Sequence, residues 1–227
     1  MDNFAISCAI KTPVLLGLDS ALTLDSILAA LIFRESQDPE KSLRDIPLEN
    51  VDGIWHGSAA FFTSLADASY IELSRRLTVQ EMTDDRFAYP AHRGKETPVV
   101  DQGRGPYKAV INGYRSIFAE RIMWFGRGDL QEVSRLLKNL HTVGKRGNSG
   151  YGWVEPPRIQ KVDADYSLCM PEPDHPERVR AMRPIPIHLW NGGEVERRMT
   201  RFQPPYHSGE KHLCAIPVSQ EQFWGRR

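Results

Sequence analysis

The spacing of apolar and polar residues predicts a chain of mixed helix and strand. Residues 4–16 alternate loosely between apolar and polar positions, which predicts a first strand. Apolar residues then recur at helical spacing from Leu24 to about Glu35 and predict a helix with Thr23 as its N-cap. Two further strands, over residues 53–65 and 69–82, are predicted to pair with each other in antiparallel fashion.

The second half of the chain repeats this alternation of helix and strand. Apolar residues lie on one helical face from Leu130 to Val143, where Asp129 is the predicted N-cap and Gly144 the predicted stop. A strand is predicted near residues 153–162. The resulting order predicts an α+β fold with a ferredoxin-like (RRM-like) β-α-β-β-α-β core. We expect residues 1–162 to form this domain and residues 163–227 to add a β-rich extension packed on it.

A long segment without apolar periodicity interrupts the predicted core at about residues 83–108. Loops of this length are uncommon in compact domains and are usually functional or disordered. Basic residues are interleaved with aromatic ones, a combination that suits single-stranded nucleic acid. A flexible surface insertion is the alternative interpretation. The candidate contact residues of this segment are Arg86, Tyr89, His92, Arg93, Lys95, Arg104, Tyr107 and Lys108.

The most distinctive motif is a glycine-rich loop at residues 144–152, in which four of nine residues are glycine. Glycine allows positive φ and close approach to a ligand, and the residues between the glycines are of the types that bind phosphate and stack on bases. The helix-then-strand order is the reverse of a P-loop, and the Gly-Lys-Ser/Thr ending is missing. Spacing alone leaves a helix C-cap and a nucleic-acid loop equally open. The candidate RNA-binding residues are Gly144, Lys145, Arg146, Gly147, Asn148, Ser149, Gly150, Tyr151 and Gly152.

Charge and composition narrow the functional class. The 29 basic and 29 acidic residues give zero net charge, which argues against a protein that coats nucleic acid non-specifically but leaves a local basic site open. Six arginines between residues 178 and 201 are most simply a solvated charged face. The three widely spaced cysteines, the absence of a signal-peptide pattern and the lack of a long apolar run predict a cytoplasmic protein without a membrane span.

The sequence offers no credible active site. Its seven histidines are scattered, and no metal-ligand pair or nucleophile-elbow motif is present, so we expect no catalytic residues, metal or cofactor. One alternative is a metal-independent ribonuclease that uses His56, His92 or His141 as acid or base. Another is a small-molecule enzyme or ligand-binding domain that holds a nucleotide with the glycine-rich loop.

Two motifs carry a resemblance to a known family. The segment Thr23-Leu24-Asp25-Ser26-Ile27-Leu28-Ala29 resembles the Leu-Asp-Gly-Ile/Leu-Leu-Ala signature of CRISPR-associated RAMP proteins, with Ser26 at the usual glycine. The loop at residues 144–152 resembles their hallmark glycine-rich loop. Together with the order of elements, which covers about residues 4–160, the chain resembles the Cas five-like subunit of a type IV (Csf) CRISPR effector complex.

The resemblance implies a non-catalytic subunit that holds the 5′ handle of a guide RNA and caps the backbone filament. The glycine-rich loop and a thumb at residues 83–108 would contact the RNA, with backbone amides at Gly147, Gly150 and Gly152 approaching phosphates. The implied partners are Cas seven-like backbone subunits, a large or Cas eight-like subunit, and target DNA near the end where it enters. A separate Cas six-like enzyme usually cuts the precursor, so the alternative is that this chain is itself the metal-independent endoribonuclease that processes precursor guide RNA.

Overall fold

The computed structural model describes residues 1–17, 21–75, 108–172 and 175–217 of the chain. These residues form an α+β protein of mostly antiparallel strands and few helices. The strands are β1 (Asp2–Ala9), β2 (Val14–Leu16), β3 (Asn50–Val51), β4 (Ile54–Trp55), β5 (Phe61–Arg75), β6 (Val110–Gly128), β7 (Arg158–Lys161), β8 (Cys169–Pro171), β9 (Val179–Ala181), β10 (Ile185–Pro186), β11 (Arg197–Thr200) and β12 (His212–Ala215). The α-helices are α1 (Leu24–Ser36), α2 (Pro39–Arg44) and α3 (Leu130–Leu137).

Strand β6 is the centre of a five-stranded sheet. Along one edge it pairs with β1 and then with β2, where Val14 lies opposite Ile117. On its other edge it pairs with β5, while β7 pairs with the outer edge of β1. All these pairings are antiparallel and give the spatial order β7-β1-β6-β5. The predicted first strand over residues 4–16 is therefore two strands, β1 and β2, which both pair with β6.

The predicted pairing of residues 53–65 with residues 69–82 is wrong. Residues 61–75 form one strand, β5, whose partner is β6. Leu65 lies opposite Ala119 and Asp67 opposite Phe118, so one extra residue of β5 forms a bulge between them. A bulge shifts the alternation of side chains by one position, and this shift explains why the sequence pattern looked like two strands separated by a turn.

Helix α1 packs on one face of the sheet, as its apolar spacing predicts. Its buried residues join a core with the residues of β1 and β6 that point to the same face. Every second residue of the strands contributes to this core because strand side chains alternate between faces. The largest core side chains include Phe4, Leu24, Leu28, Phe62 and Trp124.

Helix α3 is shorter than the apolar pattern predicts. Asp129 caps it by accepting hydrogen bonds from two backbone amides of the first turn, as expected for an N-cap. The helix nevertheless ends at Leu137, so the predicted extension to Val143 is wrong. Leu140 and Val143 are buried in the same core but belong to an irregular segment. The apolar spacing beyond Leu137 therefore reflects burial in the core and not a continuing helix.

The C-terminal region, defined here as residues 163–217, covers part of the opposite face of the sheet. The Phe125 ring on this face packs between Phe61, with ring centroids 6.5 Å apart, and Tyr166, at 5.7 Å. The region contains a three-stranded sheet of order β10-β12-β11 and the pair β8-β9. No helix among the described residues is long and apolar enough to cross a membrane.

Candidate nucleic-acid interface

The glycine-rich loop lies beside β2 and is tied to it at both ends. The Lys145 amide donates to the Leu15 carbonyl at 2.7 Å, and the Gly152 amide donates to the Pro13 carbonyl at 2.8 Å. The Val143 amide in turn donates to the Gly152 carbonyl at 2.8 Å. These bonds fix the two ends of the loop on the edge of the sheet, so its middle projects from a rigid base.

The outer glycines are required by contact with the protein's own backbone. Gly144 and Gly152 have φ values of +80° and +68°. A Cβ on Gly144 would lie 2.5 Å from the Leu15 carbonyl oxygen, and one on Gly152 would overlap the Val143 carbonyl. Since α3 ends at Leu137, Gly144 does not cap that helix, and the C-cap interpretation is wrong.

The middle of the loop is a single 3-10 turn, Gly147–Ser149. The Ser149 and Gly150 amides donate back to the carbonyls of Arg146 and Gly147, at 2.8 and 3.1 Å. The amides of Gly150 and Gly152 are thus already bonded within the protein, contrary to the expectation that they approach RNA phosphates. The side chains remain available, because Lys145, Arg146, Asn148 and Ser149 are exposed and Tyr151 is half-buried.

Arg146 is held in a defined position without losing its exposure. Its backbone adopts φ +62°, which is uncommon for a residue other than glycine. Its Nε donates to the Tyr114 hydroxyl at 3.2 Å, and the guanidinium lies 5.7 Å from the centre of that ring, within cation–π range. Tyr114 is on β6, so the sheet orients the arginine. No local sequence pattern predicts this contact, because the two residues are 32 positions apart.

The two cations of the loop differ from the surface cations that a carboxylate neutralises. Lys11, Arg135 and Lys161, for example, form ion pairs with Glu155, Glu35 and Asp2. In the described ranges, no carboxylate lies within ion-pair distance of Lys145 or Arg146. A pair of exposed, unneutralised cations on a fixed loop is suited to binding an anion such as a phosphate.

Most of the predicted thumb residues lie outside the described residues. Lys108 is the exception, and it is exposed just before β6 begins. The structure therefore brings together the nine candidate residues of the glycine-rich loop. The candidates outside the described residues are Arg86, Tyr89, His92, Arg93, Lys95, Arg104 and Tyr107.

His56, one of the candidate acids or bases, is hydrogen-bonded to Asp165. The ionised Asp165 can only accept, so His56 Nδ1–H donates to its Oδ2 at 2.7 Å. Burial opposes the charge on Asp165, but the bonds from His56 and Ser167 outweigh it and lower the pKa of this carboxyl. Glu49 lies 3.9 Å from the same imidazole nitrogen and forms an ion pair with Arg127 at 2.7 Å. Of the other candidates, His141 is exposed and His92 lies outside the described residues.

One member of the late arginine cluster is not solvated, contrary to the sequence interpretation. Arg183 is fully buried; its guanidinium donates to Asp25 at 3.2 Å, to the Tyr206 hydroxyl at 2.9 Å and to the Gly57 carbonyl at 2.9 Å. Tyr206 also donates to Asp25 at 2.7 Å. Burial, and then the Asp25 charge, raises the pKa of Tyr206 well above its ordinary value, so its hydroxyl remains a donor. This centre is structural, since it is enclosed.

The described residues contain no group of three or more His, Cys, Asp or Glu side chains placed to hold a metal ion. The exposed cationic loop on an α+β scaffold is the principal candidate site because its side chains are accessible and Arg146 is held in place by Tyr114. Comparison with known protein families places the chain among the subunits of type IV CRISPR systems. The family model described as CRISPR type IV associated protein Csf3 matches residues 2–217, and the chain belongs to that family. Comparison with curated proteins finds no match.

Membership of this family confirms the resemblance to the type IV Csf group that the two short sequence motifs indicated. It also makes the protein a CRISPR-associated subunit, which implies a complex with other Cas proteins. The Cas five-like assignment, the guide RNA and the individual partners stay predictions.

Proposed function

We propose that this protein is a non-catalytic RNA-binding subunit of a type IV CRISPR ribonucleoprotein that holds the 5′ handle of the guide RNA and caps the backbone filament. The observation that carries the proposal is a pair of exposed cations, Lys145 and Arg146, that have no carboxylate partner among the described residues and lie on a loop fixed to the sheet. Phosphate contacts supply most of the affinity of such complexes and set their orientation.

The chemistry of the loop suits RNA in its single-stranded form. Lys145 and Arg146 would neutralise phosphates, and Asn148 and Ser149 would bond 2′-hydroxyls or base edges. Tyr151, which is half-buried, would stack on a base with its exposed side. Because the bases of a single strand are accessible, the loop can contact them without entering the groove of a duplex.

We further propose that the core is ferredoxin-like and that the subunit is Cas five-like. The strand order β7-β1-β6-β5 supports this fold, because one helix follows β1 and another follows β6 in the β-α-β-β-α-β sequence. In this assignment residues 76–109 separate the second and third core strands, where the thumb is predicted. The partners would be Cas seven-like backbone subunits, a large or Cas eight-like subunit and target DNA, in the cytoplasm.

A metal-independent endoribonuclease is the second candidate function, and the His56–Asp165 pair favours it. A carboxylate bonded to Nδ1 fixes the tautomer of a histidine and leaves Nε2 with a lone pair that can accept a proton. Nε2 has no hydrogen-bond partner in the described part of the chain. In such a reaction Nε2 would take the proton of a 2′-hydroxyl, whose oxygen attacks the adjacent phosphorus and displaces the 5′-oxygen, which water protonates.

One experiment separates the two functions. The protein, purified from cells that express the repeat RNA, is analysed for bound RNA and then incubated with labelled repeat RNA in the presence of EDTA. The non-catalytic proposal expects a bound small RNA with a common 5′ end and an intact labelled substrate. Site-specific cleavage that is lost in His56→Gln would overturn it. Asp165→Asn serves as the companion variant, because it should slow the same cleavage if the carboxylate orients His56.

A further inference from the structure

The three-stranded sheet of the C-terminal region has an edge that no other described strand pairs with. Strand β12 is central, and β11 pairs with it on one side only. The Ile216 amide donates to the Glu196 carbonyl at 3.0 Å. Because antiparallel hydrogen bonds involve alternate residues of a strand, the backbone of Arg198 also faces β12, whereas Arg197 and Met199 direct theirs outward. No described residue meets these outward amides and carbonyls.

An apolar pair lies beside this edge. Met199 is directly opposite Leu213, and their side chains are 55% and 43% exposed. Residues paired in this way have Cβ atoms about 4.5–5.5 Å apart and form one contact surface. The pair is bordered by two exposed cations, Arg197 on β11 and Lys211, which precedes Leu213 by two residues. The surface therefore combines unpaired backbone groups, an apolar centre and a positive border.

We propose that β11 binds a β-strand of another protein subunit of the type IV complex, and that this strand carries apolar and acidic side chains. Its backbone would pair with Arg197 and Met199, an apolar side chain would cover the Met199–Leu213 pair, and carboxylates would bond Arg197 and Lys211. Natural proteins usually protect a sheet edge with charge, with proline or with a covering segment. Arg197 and Arg198 place charge beside this edge, but Met199 leaves its centre apolar and no described residue covers it, so an added strand would complete the sheet.

The features of the edge favour a protein strand over a nucleic acid. A phosphate backbone satisfies cations but offers no matching row of amides and carbonyls to a sheet edge, and an exposed Met–Leu pair gains little from a phosphate. The proposal rests on family membership and not on the RNA-binding role of the glycine-rich loop, so either can fail without the other.

Hydrogen exchange of the backbone amides tests the proposal on the unaltered protein. Exchange at Arg197 and Met199 is compared in the isolated chain, in the chain with guide RNA alone, and in the complex assembled with the other type IV subunits. We expect these two amides to be slowed about tenfold or more in the assembled complex alone. Unchanged exchange on assembly overturns the proposal. Slower exchange with guide RNA alone would assign the edge to nucleic acid. Slower exchange of the isolated chain at higher concentration would assign the edge to a second copy of the chain. Either result overturns the proposal.

A proline variant supplies the matching genetic test. Proline at position 199 removes only an outward amide, which no described residue accepts from, and edge positions of sheets tolerate proline. Met199→Pro should weaken incorporation into the complex about tenfold or more, whereas Met199→Leu should assemble normally. Circular dichroism and thermal unfolding of the isolated variants confirm that they are folded. Normal incorporation of a folded Met199→Pro chain contradicts strand addition.

Discussion

Two arginines of this chain, Arg146 in the glycine-rich loop and Arg183 between β9 and β10, both lie in irregular segments but have different surroundings. Arg146 is exposed and meets an aromatic ring and a hydroxyl, without a carboxylate in the described ranges. Arg183 is fully buried and bonds Asp25 and Tyr206. The difference shows that the surroundings, and not the residue type, decide whether a cation is available to a ligand or is used by the fold.

The enclosed centre joins three distant parts of the chain. Asp25 belongs to α1, Tyr206 follows β11, and Arg183 reaches between them to carbonyl groups of residues 55 and 57. Removal of one partner of a buried ion pair leaves the other charge buried and unpaired. We therefore expect the C-terminal region to depend on this centre for its attachment to α1.

The largest expected effect is the loss of the Arg183 charge. Arg183→Met should lower the free energy of unfolding by about 3–5 kcal/mol, because Asp25 stays buried without its partner. Urea denaturation measures the change. Arg146→Met, at the exposed site, should change stability by less than about 0.5 kcal/mol. Equally small changes in the free energy of unfolding for the two variants would show that Arg183 is no more important to the fold than Arg146.

A double variant sharpens the same test. Asp25→Leu combined with Arg183→Met removes both charges, and a buried pair replaced by apolar residues often costs little. The double variant should be less destabilised than the sum of the single variants. Simple additivity would show that the two residues do not act as a pair.

The next largest loss of stability is expected from substitutions of the loop glycines. Gly152→Ala should destabilise the protein by about 2 kcal/mol or more, since the added methyl group overlaps the Val143 carbonyl at a positive φ. Gly150→Ala should cost only about 1 kcal/mol, because its Cβ would meet no atom within 4 Å. Thermal unfolding of the pair measures the difference. A larger loss for Gly150→Ala would contradict the loop geometry.

The smallest effect concerns acid stability at Asp165. The folded protein lowers the pKa of this carboxyl below its ordinary value of 3.8, so its contribution to stability is complete above that pH and is lost as the pH falls through the lowered pKa. Asp165→Asn should be less stable than the wild type at neutral pH, and the gap should narrow below pH 3.8. A gap that is constant with pH, measured by urea titration at several values, would exclude ionic stabilisation there.

The sequence predicted local features better than distant contacts. The cap at Asp129 and the first helix were correct, because propensity and apolar spacing act over a few residues. The two sites depend on contacts that no local pattern reveals. Arg183 and Asp25 are 158 positions apart, and Arg183 is one of six arginines that the sequence cannot tell apart. The glycine-rich loop was visible as a motif, but its attachment to β2 and the role of Tyr114 were not.

The glycine-rich loop also changed meaning once its surroundings were known. Four glycines suggested backbone amides free for phosphate, but the amides of Gly150 and Gly152 bond to the protein itself. The glycines allow the loop to lie close to β2, and the side chains between them are the exposed groups. This arrangement moves the expected RNA contacts from the backbone to Lys145 and Arg146.

A salt titration of guide-RNA binding tests the central claim most directly. The affinity of the wild type for repeat RNA is measured at several salt concentrations and compared with that of Lys145→Ala/Arg146→Ala. Loss of two phosphate contacts to a single strand should make the negative slope of log K against log salt shallower by about 1.4. Arg135→Ala/Lys161→Ala is the matched control, since both cations already bond carboxylates. A loop variant with wild-type affinity and slope would contradict the assignment of this loop to RNA.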